Sequence, residues 1–159
     1  MKNNLKTRKK IRLSNYNYSK NGLYFITICV INRACILSKI NINTKNVELS
    51  EFGIIVEKYI KEINHTYNDI QILKYVIMPN HIHLICELIN YNSINTTKPN
   101  EKIPFLVSTF KRLTNKASKI KIWQRNYFEH IIRNDDEYIK IWEYIENNPI
   151  QWNEDVYNN

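Results

Sequence analysis

The segment His81-Ile82-His83-Leu84-Ile85-Cys86-Glu87-Leu88 limits the possible folds more than any other stretch of this chain. Successive side chains of a strand point to opposite faces, so Ile82, Leu84, Cys86 and Leu88 form an unbroken apolar row. His81, His83, Ile85 and Glu87 share the other face. The apolar row suits a strand packed beneath helices, and it leaves both imidazoles on the less apolar side. Residues i and i+2 stand roughly 6.5–7 Å apart, a span that two histidine rings can bridge to one ion. Met78-Pro79-Asn80 comes immediately before. Proline cannot continue a central ladder, so the strand read over 70–78 stops there, and so short a link makes the pair an antiparallel hairpin.

The remaining elements fall around this hairpin. Residues 23–31 (LYFITICVI) are dense in β-branched and aromatic side chains, as in a strand covered on at least one face. Residues 38–49 read as a hairpin-like connection. Ser50 offers an N-cap, and Phe52, Ile55, Val56, Tyr59, Ile60 and Ile63 then recur at helical spacing. After a polar loop over 90–101, a second helix carries Leu106, Phe110, Leu113 and Ala117 on one face. Ser108, Lys111, Arg112, Asn115 and Lys119 line another. Residues 123–132 read as a last strand. Asn134 caps a third helix whose first turn, Asp135-Asp136-Glu137, favours the positive end of the helix dipole, and Pro149 ends it. The order β-α-β-β-α-β plus a C-terminal helix predicts a ferredoxin-like α+β sheet. Two helices would cover one face and leave the other for a site. With 159 residues, the chain reads as one domain over 21–159 behind a basic arm over 1–20.

A net charge of +8, from 23 Lys and Arg against 15 Asp and Glu, points to a polyanionic partner, most often nucleic acid. Lys9, Lys10 and Arg12 of the arm, with Lys111, Arg112, Arg125 and Arg133, are the candidate contacts to backbone phosphates. Tyr16 and Tyr18 could stack on unpaired bases. The longest apolar run is far short of the roughly 20 residues of a spanning helix, and no signal-type apolar core follows the basic start. A cytoplasmic protein without a membrane partner is expected. Three cysteines without C-x-x-C spacing argue against a disulfide framework or a cysteine metal site, and Cys29 and Cys86 read as buried thiols.

In the third helix Tyr138, Ile141, Trp142 and Ile145 recur at i, i+3, i+4, i+7 and form the buried stripe. Tyr144 falls roughly 110° from its middle and Asn148 roughly 70°, both on one flank and four residues apart. A phenol and an amide oxygen could thus face a common ion. Asn147-Asn148-Pro149 is also an ordinary helix stop, so spacing alone leaves both readings open. His81 and His83 need a third ligand in any case; the other histidines are His65 and His130.

Met78-Pro79-Asn80-His81-Ile82-His83, then Trp123-Gln124 with Glu129-His130, then Tyr144-Ile145 followed by Asn148-Pro149, resemble the REP-associated tyrosine transposases. These belong to the single-tyrosine HUH transposases of small bacterial insertion sequences. The similarity runs from about Tyr24 to Trp152, with the three blocks in order. It implies a ferredoxin-like domain with the histidine pair on a central strand. His81, His83 and Asn148 would be ligands of Mg²⁺ or Mn²⁺, and Tyr144 the nucleophile. It also implies single-stranded or hairpin DNA as substrate and a 5′-phosphotyrosine intermediate with a released 3′ hydroxyl. Asn148 stands where a second nucleophile would sit one turn on, as single-tyrosine members require. Tyr127, on the expected last strand, is the rival nucleophile, and His130 reads as a hydrogen-bonding group near the metal rather than a ligand. The alternative function is a non-catalytic or domesticated protein of the same fold that binds single-stranded nucleic acid. Whether the active unit is a monomer or a homodimer stays open.

Overall fold

The computed structural model describes residues 22–89, 102–155 and 157–158. The basic arm, with Lys9, Lys10, Arg12, Tyr16 and Tyr18, lies outside the described residues, as does the polar loop over 90–101. Six strands and three helices follow in the order β1 (Gly22–Cys29), β2 (Ser38–Ile40), β3 (Val47–Leu49), α1 (Glu51–Thr66), β4 (Ile70–Ile77), β5 (His81–Leu88), α2 (Lys102–Ser118), β6 (Phe128–Ile132) and α3 (Asp135–Asn147). The four long strands form an antiparallel sheet in the order β4-β5-β1-β6. With β2 and β3 set aside as a small hairpin of their own, this is the ferredoxin-like plan expected from the sequence. β5, the histidine strand, is central.

The alternation read from β5 sorts the whole sheet. Ile82, Leu84, Cys86 and Leu88 join Tyr24, Ile26 and Ile28 of β1 against Val56, Ile60 and Ile63 of α1 and Ile103, Leu106, Val107 and Phe110 of α2. The opposite face is not left open. α3 crosses it, with Ile145 buried and Tyr138, Ile141, Trp142 and Tyr144 packed on Val76, Met78, Ile85 and Ile132. Asn134 caps this helix by accepting from the Glu137 N–H at 2.9 Å. Contacts at both ends then fix its position. Glu137 takes His130 Nε2 at 2.6 Å near the N-terminus, and Glu146 pairs with Lys74 of β4 near the other end. Lys74 Nζ also lies 4.8 Å over the Trp142 ring.

Three expectations need correction. The first strand ends at Cys29 rather than 31, because the chain enters a tight turn at Ile31. The last strand covers only Phe128–Ile132, with Trp123 making a lone bridge to Val30. Trp123 turns into the helix-side core, where its Nε1–H donates to Thr114 Oγ1 at 2.8 Å. Lys111 Nζ donates to the carbonyls of Gln124, Arg125 and Asn126 at 2.9, 3.3 and 3.1 Å, so these carbonyls face a side chain instead of a neighbouring strand. Cys86 is buried as expected but Cys29 only partly, because alternation puts it at the end of β1 on the α3 side.

Candidate functional site

β5, β1 and α3 build one buried polar cluster on the α3 side of the sheet. His81 is 0% exposed and His83 1%. Register sets Thr27 of β1 across from His83 and Cys29 across from His81. The Nε2 atoms of the two imidazoles face each other at 3.0 Å, while both Nδ1 atoms have outer partners. His81 Nδ1 lies 2.8 Å from Asn80 Oδ1, and His83 Nδ1 2.7 Å from Thr27 Oγ1. Asn80 donates its own Nδ2 to the Tyr157 carbonyl at 2.6 Å, which fixes its amide so that Oδ1 accepts from His81. The proton of His81 therefore sits on Nδ1, and its Nε2 lone pair points into the cluster.

The α3 flank supplies the rest. Tyr144 Oη stands 3.3 Å from His83 Nε2, with the phenol ring 5.3 Å from the imidazole and edge-on to Phe25 at 6.1 Å. Phe25 in turn stacks on His83 at 5.1 Å. Asn148, 1% exposed, donates Nδ2 to Asp155 Oδ2 at 2.8 Å. That bond orients the amide and leaves its buried Oδ1 without a hydrogen-bond partner among the described residues. Asp155 also accepts from the Tyr157 N–H at 2.8 Å, and its Oδ2 comes within 3.8 Å of His81 Nε2. Ligand atoms of His81, His83 and Asp155 all lie within 4.8 Å of one another.

Burial governs the protonation states. Desolvation pushes His81 down to about 4, against an opposing pull from the Asp155 carboxylate and the Asn148 side chain. It holds His83 well below the ordinary imidazole range, aided by His81. Burial raises Tyr144 to about 12, with the Asp155 carboxylate and Tyr157 adding to the effect. The cluster at neutral pH thus contains two neutral imidazoles and a neutral phenol.

Such a donor set fits a divalent cation. The His81 Nε2 lone pair lies 3.0 Å from His83 Nε2, a carboxylate oxygen approaches it, and a buried amide oxygen has no donor among the described residues. Buried acceptors without donors are costly, and a cation among these atoms would satisfy the Asn148 oxygen and the His81 lone pair together. Two imidazoles with oxygen donors and no thiolate form a ligand set of the kind that divalent cations occupy.

His81, His83, Tyr144 and Asn148 are therefore brought together; the other candidates among the described residues lie apart from them. His130 makes its contact with Glu137 at the start of α3. Tyr127 packs with the helix-side core, its hydroxyl 3.1 Å from Glu129 Oε2, on the opposite face of the sheet from the histidine pair. Lys111, Arg112 and Arg125 border an open cavity of about 540 Å³ beside α2, with Ser108, Asn115 and Tyr127. All three ammonium donors of Lys111 are engaged by carbonyls, whereas Arg112 and Arg125 are exposed, as is Arg133 near the start of α3. Asp155, Thr27, Asn80 and Tyr157 were not singled out from the sequence. For Asp155 the available signal was an acid seven residues beyond Asn148, in a segment without periodicity.

The family described as "Transposase IS200 like" matches residues 18–148. A Haemophilus influenzae protein without a functional name is 38% identical, over 93% of this chain and 91% of its own length. A second protein of that organism, provisionally named a REP-associated tyrosine transposase, is 28% identical over 87% of this chain and 77% of its own. A REP-associated tyrosine transposase solved bound to a REP hairpin shares the fold, with a TM-score of 0.64 at 21% identity, covering 89% of this chain and 73% of that one.

Proposed function

The chain belongs to the IS200-like transposase family, and from that premise we propose that it cuts and rejoins single-stranded DNA through a covalent bond to Tyr144. The observation that carries the proposal is the buried meeting of Tyr144 Oη with the His81–His83 pair beside an amide oxygen that lacks a donor. His81, His83 and Asn148 hold Mg²⁺ or Mn²⁺ in this reading, and Asp155 either adds a ligand or orients Asn148. The cation, when bound, neutralises charge on the scissile phosphate and favours the phenolate.

The chain's own residues supply positioning. α3, tied at Glu137 and Glu146, aims the phenol at the cluster, and Phe25 restricts its ring. Tyr144 Oη attacks phosphorus and forms a phosphotyrosine bond; the bond from phosphorus to the 3′ oxygen breaks, and the phenolic proton ends on that oxygen. The phosphodiester is conserved, so the 3′ hydroxyl of another strand end can reverse the step and rejoin DNA. Hairpin or repeat DNA is the proposed substrate, on the likeness to a transposase bound to a REP hairpin. Arg112, Arg125 and Arg133 offer exposed charge for its backbone.

The test is a denaturing gel of labelled hairpin-bearing single strands incubated with the protein and Mn²⁺. A protein–DNA adduct that disappears in Tyr144→Phe supports the reading. Binding without an adduct in the unsubstituted protein favours a non-catalytic module instead.

A further inference from the structure

One buried donor beside the cluster has no acceptor. After β1 the chain turns through Asn32 and Arg33, both in the left-handed region at φ 54° and 55°. Neither is glycine, and for the long Arg side chain this conformation is strained. Such strain persists where surrounding structure enforces it, and it concentrates at functional positions. Here the Arg33 N–H bonds the Val30 carbonyl at 3.1 Å and the Ala34 N–H bonds that of Ile31 at 3.2 Å, closing the turn.

The turn delivers the guanidinium to the site. Arg33 Cζ lies 4.8 Å from the centre of the Tyr157 ring. That ring lies 4.7 Å from the His81 imidazole and 5.7 Å from that of His83. Nη1 of Arg33 is buried, and among the described residues it has no acceptor and Arg33 forms no ion pair. A guanidinium cannot discharge itself, so a buried unpaired donor on it calls for an anionic acceptor. Stacking engages the face of the group, and Arg33 as a residue is only partly buried. The nearest acid of the cluster, Asp155, already accepts from Asn148 and from the Tyr157 N–H.

We infer that Arg33 binds a phosphate of the DNA strand at the His81–His83–Tyr144 cluster, through charge-assisted hydrogen bonds from its guanidinium to a non-bridging oxygen. The inference rests on the single-strand cleavage proposed above and adds to it a substrate-contacting residue from the turn after β1. A planar fork of donors fits two phosphate oxygens at once, which an ammonium cannot do.

Arg33→Gln and Arg33→Lys, in the full chain, test it with three readouts: Mn²⁺ affinity by electron paramagnetic resonance, salt-dependent binding of a fluorescein-labelled oligothymidylate, and single-turnover adduct formation on hairpin DNA. Arg33→Gln should bind Mn²⁺ as the unsubstituted protein does. It should lower the salt slope of oligothymidylate binding by about 0.7, the loss of one phosphate contact on a single strand. Its adduct rate should fall about 100-fold, by analogy with the loss of one preorganised donor to a developing oxyanion. Arg33→Lys should restore the slope and only part of the rate. An unchanged slope in Arg33→Gln overturns the inference. If Arg33→Gln does not fold, Arg33→Lys decides, since an adduct rate equal to that of the unsubstituted protein overturns it. An unsubstituted protein that forms no adduct and binds no oligonucleotide overturns the cleavage reading, and the role of Arg33 with it.

Discussion

The hydroxyl of Tyr144 lies 3.3 Å from Nε2 of His83, although the two residues are 61 positions apart and belong to different elements. Burial and the Asp155 carboxylate raise this phenol to about 12, so without a cation it is essentially all protonated at neutral pH. Tyr144→Phe keeps the ring against Phe25 and removes only the nucleophile. It should abolish the covalent adduct while leaving Mn²⁺ affinity within about twofold. Gel and metal titration read these separately, and an adduct that survives in Tyr144→Phe would move the nucleophile elsewhere.

Asp155→Asn should weaken Mn²⁺ binding by about 10- to 100-fold, the range found when a group supporting a metal site is removed. Asp155 accepts from Asn148 and Tyr157 and approaches His81, so losing its charge both frees the Asn148 amide to rotate and removes a negative group from the cation's surroundings. Calorimetric titration of the purified variant measures this. Full retention of affinity would leave Asp155 outside the metal's influence.

The metal-free protein should lose stability as pH falls from about 6.5 towards 4. His81 sits near 4 in the fold and near 6.5 in the unfolded chain, so across this window the unfolded state binds more protons and is favoured by acid. The full effect for His81 is on the order of 3 kcal/mol, reached only below its folded value. His83, also depressed, acts in the same direction. Melting temperatures between pH 4 and 7 in the presence of a chelator, compared with His81→Gln, isolate the contribution. A parallel decline in the variant would show that ordinary carboxylates, not His81, set the acid limit. Metal affinity, by contrast, should change little between pH 6 and 8, because protons do not compete for imidazoles that are already neutral.

How much of this was legible differs by residue. Alternation in β5 separated the histidines from the apolar row without reference to any other segment, since strand geometry forces it. The flank shared by Tyr144 and Asn148 followed in the same way from helical period. Asp155 could not be read, because it follows Pro149 where no period operates, and its place depends on bonds to Asn148 and Tyr157 made only in the fold. Residues 123–127 looked like strand because their composition favours one. A side chain on α2 overrode that preference, which is a tertiary effect that local sequence does not carry. Arg33 is a single cation in a turn, and only its unpaired buried edge distinguishes it from any surface arginine.

Lys111 and Arg125 both border the basic cavity beside α2, yet they should respond differently to substitution. Lys111 is partly buried, its three donors hold the carbonyls of residues 124–126, and desolvation pulls it down to about 8. Arg125 is exposed. Lys111→Met should therefore lower the melting temperature by roughly 3 °C, corresponding to about 1 kcal/mol for lost hydrogen bonds in a chain of this size. The salt slope of oligonucleotide binding should stay as it was. Arg125→Gln should leave the melting temperature alone and reduce that slope by about 0.7 if it contacts one phosphate. Thermal melts and salt titrations on the same preparations distinguish the two. A reduced slope in Lys111→Met without loss of stability would show that the ammonium leaves its carbonyls to meet DNA, and the loop at 124–126 would then be part of the binding surface rather than its support.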